Sequence, residues 1–100
     1  MSVFVEVVVD LPRPVLVPLR GSAARWADMR RACVVVEGGE SRMSLMGVTL
    51  NQDGSEGVHQ GVPCDGALLA GLGLPEEDRR AVEVARRAAV EAGRCAEALL

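Results

Sequence analysis

The sequence contains no lysine, no isoleucine and no tyrosine, and Asn51 is its only asparagine. All four residue types draw on A/T-rich codons, so their shortage points to a GC-rich, bacterial genome. The eleven basic residues are therefore all arginine, and the choice of arginine over lysine says nothing here about bidentate recognition of phosphate or carboxylate. Aromatic side chains are almost missing, with Phe4 and Trp26 the only two. Sites that stack bases or cage cations use several aromatic faces, which weighs against those functions. No stretch approaches the ~20 apolar residues of a membrane span. The run Met1-Ser-Val-Phe-Val-Glu6 lacks the basic start of a secretory signal, and Glu6 interrupts its apolar character. These features predict a cytoplasmic protein with no membrane partner.

Paired cysteine motifs are also missing. Cys33, Cys64 and Cys95 are an odd, widely spaced set with no CxxC unit, which reads as reduced thiols rather than a disulfide framework. Three cysteines and the single histidine, His59, match the ligand count of a structural zinc site, but not the spacing of any finger or ribbon. No metal and no cofactor are expected. The net charge of −3 lacks the basic excess of a general nucleic-acid binder. Arg25, Arg30 and Arg31 beside Trp26 form the one basic–aromatic cluster. Its simplest reading is a solvated arginine face around a core tryptophan, so no general nucleic-acid binding is expected.

What is present suffices for one domain over residues 1–100. Residues 49% hydrophobic, mostly Val, Ala and Leu, supply a single core. Residues 3–10 alternate, with Val3, Val5, Val7 and Val9 on one face and Phe4, Glu6, Val8 and Asp10 on the other. Leu11-Pro-Arg-Pro14 breaks that strand, and the prolines around residues 15–17 confine any continuation to a sheet edge. Ser22 is a plausible N-cap for a short helix over 23–32, on which Trp26, Met29 and Cys33 share a face. Strand character resumes at Cys33–Glu37, and Gly38-Gly39 suits a tight hairpin turn into residues 41–50, where Gly47 can mark a bulge. Asp65 can cap a helical turn over 66–70.

The strongest pattern is C-terminal. Pro75 opens a helix over 76–98, and Glu76, Glu77 and Asp78 complement its dipole. Val82, Ala85, Ala89, Ala92, Ala96 and Leu99 recur at spacings of three and four. Gly93 either ends that helix or admits a close neighbour. The expected fold is a small two-layer α+β domain, mainly antiparallel sheet with the short and the long helix.

Two functional readings follow. The first is a non-enzymatic accessory or interaction domain that binds itself or a larger protein. Its candidate interface is Phe4 and Val8 on the mixed sheet face, with Ala85, Ala89, Ala92 and Ala96 on the helix stripe. The second is a small enzyme or ligand-binding domain with its site in the 51–66 loop. There His59 could activate Cys64 as a nucleophile. Gly71-Leu-Gly73 before a helix suggests phosphate binding, but Glu76, Glu77 and Asp78 would repel an anion there.

Overall fold

A computed structural model describes residues 3–21 and 25–100. The elements run β1 (Phe4–Pro18), β2 (Trp26–Glu37), β3 (Glu40–Leu50), β4 (Glu56–Pro63), α1 (Ala67–Gly71) and α2 (Glu76–Glu97). The strands form one antiparallel sheet in sequence order, so β1 and β4 are its edges. Such a meander needs only short connections between neighbours. Gly38 and Gly39 make the β2–β3 turn with φ of 59° and 83°. Two successive positive φ values are what a type I′ hairpin requires. The β3–β4 loop closes on itself, with the Asn51 amide donating to the Ser55 carbonyl and the Ser55 amide to Asp53 Oδ1.

α2 packs on β1 and β2 across one face of the sheet. Val82, Ala85 and Ala89 of the helix join Val15, Val17, Met29, Val34, Val36 and Leu45 of the strands in the core. Gly93 does not end the helix. A β-carbon there would lie 2.6 Å from Val36 Cγ2, so the glycine lets α2 settle onto the sheet beside Val7. The helix boundary falls where expected, with Pro75 as N-cap rather than first helical residue. Within α2, Arg86 and Arg87 both bond Glu83 and hold its carboxyl down at about 2, the bond from Arg86 contributing most.

The region expected to form the short helix is strand instead. Residues 26–32 belong to β2, and the short helix of the fold is α1. The physical reason is a β-bulge at Arg30, which leaves Met29 opposite Gly47 and Arg31 opposite Met46. The extra residue shifts the strand's phase. Ala27 and Met29 face the helix before it, and Ala32, Val34 and Val36 after it. Trp26, Met29 and Cys33 thus acquire helical spacing without sharing a face. The proposed cap Ser22 lies outside the described residues.

β1 also runs further than its prolines suggest. The irregularity between Asp10 and Val15 absorbs Pro12 and Pro14, after which Val15 and Val17 are fully buried. An edge position tolerates this, because proline there costs no ladder hydrogen bond on the free side. Of the valines that alternate on one face of residues 3–10, Val5, Val7 and Val9 are half-buried, while Val3 is exposed. Asp65 caps no helix: its carboxylate accepts the Met43 amide at 2.7 Å, fastening the end of β4 to β3.

Candidate interaction surface

One face of the sheet carries the helices. The other carries nothing among the described residues. Cross-strand partners in an antiparallel ladder share a face, so the register defines the open one. Its rows read Val8–Cys33–Ser44–Pro63, then Asp10–Arg31–Met46–Gly61. Further along come Leu16–Asp28–Val48–His59 and Pro18–Trp26–Leu50–Glu56.

Phe4, Val8, Leu16, Trp26 and Met46 all lie on this face and are 40–57% exposed. Both aromatic residues of the chain are among them. Met46, which looks out of phase in the sequence, keeps the alternation of β3 and is an apolar residue facing solvent. Charges of both signs alternate with these apolar side chains, Arg31 and Asp28 of the central strand β2 among them. Arg30 bonds Asp28 at 2.9 Å and lies 3.9 Å from Glu56, and Arg31 lies 3.5 Å from Asp10. Two of the three arginines singled out in the sequence are thus ion-paired within the chain, and Trp26 is on the surface rather than in the core.

A shallow hollow at the centre of the face is lined by Val8, Arg31, Cys33, Met46, Val48 and His59. Cys33 is half-buried there, and burial together with the neighbouring Glu6 charge pushes its thiol pKa up.

His59 and Cys64 do not meet. His59 is exposed on the open face, whereas Cys64 is fully buried on the helix face behind α1, its amide donating to the Met43 carbonyl. Residues five apart along a strand point to opposite faces. Burial and the adjacent Asp65 raise the Cys64 thiol to about 11, the reverse of nucleophile activation. Among the described residues, no three His, Cys, Asp or Glu side chains gather as a metal site would need.

The helix-stripe candidates divide. Ala85 and Ala89 are buried within the domain against the sheet and face no partner. Ala96 is half-buried, and Ala92 is exposed. Gly93 takes the sheet-facing position that the spacing had assigned to Ala92. Neither a family model, nor a characterised protein, nor a solved structure matches this chain.

The thiols offer a direct check of these placements. In dilute protein at about pH 8, below the usual thiol pKa, iodoacetamide should label exposed Cys95 first and Cys33 more slowly. Cys64 should react only as the domain unfolds. Peptide mapping of a labelling time course measures this order, and fast modification of Cys64 would contradict its burial.

Proposed function

We propose that this chain is a non-enzymatic interaction domain that associates with copies of itself. The supporting observation is the amount of apolar surface its fold leaves bare. Four strands spaced about 4.8 Å apart and roughly 11 residues long make a face of roughly 700 Å². That face holds five large apolar side chains at its surface. Five large apolar side chains gathered on one uncovered face exceed the singly scattered ones of an ordinary surface and mark an interaction site.

The mixture of signs around the patch suits a protein surface better than nucleic acid. Glu6, Asp10, Asp28 and Glu56 lie among its apolar side chains, and Arg30 and Arg31 are paired with Asp28 and Asp10. With His59 and Cys64 on opposite faces, no observation favours the enzymatic reading.

Light scattering over a wide micromolar range tests the proposal. The mass should rise from 10.6 kDa to a whole multiple of it. A mass of 10.6 kDa at every concentration would overturn self-association.

A further inference from the structure

We infer that a second copy of this chain pairs antiparallel with the free edge of β1, across a two-fold axis normal to the sheet, joining two four-stranded sheets into one. This rests on the self-association proposed above but stands on a different observation, the free edge of β1, and it leaves the open face uncovered in both copies.

The two edges of the sheet differ. β4 is blunted by Gly57, Gly61 and Pro63, and by a register shift between its pairings with Val48 and Leu50. From Phe4 to Asp10, β1 has no proline, no glycine and no bulge, and four of its seven residues are valine. Among the described residues, no strand pairs with its outer side. A regular, valine-rich edge with unpaired main-chain groups is a template for another strand, which proteins otherwise cover or interrupt. Interruption begins in this chain only at Leu11, where the ladder slips and Pro12 and Pro14 follow.

The charges select a register. A two-fold normal to the sheet keeps each face on its own side, so only residues of like parity oppose one another. Centred on Val7, the pairing sets Val7 against Val7 of the second copy, Val5 against Val9, Glu6 against Val8 and Phe4 against Asp10. Centred on Glu6, it would oppose Glu6 to itself. Centred on Val8, it would oppose Glu6 to Asp10. Like charges directly opposite destabilise a sheet, and centring on Val5 or Val9 would carry half of the pairing outside the regular stretch Phe4–Asp10, which leaves Val7.

The helices are compatible with the same axis. Arg13 pairs with Glu77 and Asp78, and Val7 lies against Gly93, so α2 runs along β1 in the reverse direction. It sits over β1 and β2. Strands are about 4.8 Å apart, so a helix above the β1–β2 seam is one such spacing from a two-fold just outside β1. The two copies of α2 would then lie about 10 Å apart, within reach of close helix packing. That spacing demands small side chains. On the flank of α2 that carries Glu77 toward β1, the residues at helical steps are Ala81, Val84, Ala88, Ala92 and Cys95, and the last four are exposed. Ala92 precedes the glycine that touches Val7, which sets it near the axis.

The test uses the whole chain. Wild type should reach twice 10.6 kDa. Ala92→Arg should keep its circular dichroism and melting temperature, because Ala92 is exposed, yet raise the dissociation constant at least about a hundredfold by placing two like charges at the axis. Met46→Glu, on the open face, should remain dimeric. Amide exchange over residues 5–9 and alkylation of Cys95 should both slow as wild type is concentrated, and neither should slow in Ala92→Arg. If Ala92→Arg does not fold, Ala88→Glu on the same exposed flank carries the same expectation. A monomeric Met46→Glu with dimeric Ala92→Arg would overturn the edge pairing while leaving self-association intact. A wild-type chain that stays at 10.6 kDa would overturn self-association itself.

Discussion

Replacing Gly47 with alanine should lower the stability of the domain by at least about 3 kcal/mol, a large part of the ~5–15 kcal/mol a domain possesses. Gly47 faces the bulge in β2. A β-carbon built on it would lie 1.9 Å from the Asp28 carbonyl oxygen and 2.7 Å from Met29 Cα. Both are main-chain atoms. They cannot give way locally, because Asp28 and Met29 are paired on their other side with Leu16 and Val15 of β1. Relief therefore requires opening the β2–β3 ladder beside Met29, one of the largest fully buried side chains. Gly61→Ala is the matched control in the neighbouring strand. Its β-carbon would meet the Met46 side chain at 3.4 Å on the open face, where a flexible thioether can move aside, and the Leu45 carbonyl only at an ordinary 4.0 Å. Urea unfolding of the two variants measures the difference. Equal midpoints would mean that Gly47 is not held against β2.

The bulge opposite Gly47 also marks where the sequence is hard to read. Strand alternation in residues 3–10, the paired glycines at 38–39 and the helix from residue 76 are local signals, and the structure has each of them. The N-terminal half of β2 is not legible in the same way. One inserted residue at Arg30 changes the face on which apolar side chains fall, and period 2 then imitates a helical spacing. A bulge is stabilised by the partner strand, and that partner is 17 residues away at Gly47. Gly47 itself did signal an irregularity, though not that the extra residue sits on the other strand.

The candidate surface was legible only in part. The mixed face of β1 identified Phe4 and Val8, and both are exposed. Met46, Leu16 and Trp26 join them only through cross-strand register. The small residues of α2 show the opposite failure. Spacing alone could not decide which side of a helix whose apolar residues are mostly alanine meets the sheet, because Ala85 and Ala89 have no more surface to bury than Ala88 and Ala92. The decision falls to Gly93, whose missing side chain admits Val36 and turns Ala92 outward. Cys64 and His59 were close in sequence, and strand parity parts them.

Val34→Asp should be the most damaging substitution in the sheet, and Val8→Asp among the mildest, although both sit in adjacent rows of one ladder. Val34 pairs with Val7 and Met43, faces the helix layer and has no exposed surface. Val8 pairs with Cys33 on the open face and is 51% exposed. A carboxylate at 34 would leave water among Met43, Cys64 and Val90, in a hollow whose nearest cation, Arg86, is already bonded to Glu83, so it must either stay charged without a free partner or take up a proton. Either course costs roughly 4 kcal/mol or more, in the range reserved for buried, unsatisfied groups. At position 8 the carboxylate stays in water, and in protein dilute enough to be monomeric the cost should stay below about 1 kcal/mol. Burial raises the folded-state pKa of the introduced acid above its unfolded value of ~3.9. The unfolded state then binds fewer protons than the folded one between those two values, so the Val34→Asp deficit should shrink as pH falls from neutrality toward ~4. The Val8→Asp melt should show no such recovery. Thermal melts of both variants at several pH values decide the matter. Equal losses at neutral pH would mean that the two faces of the sheet had been assigned wrongly, and with them the bare surface on which self-association is proposed.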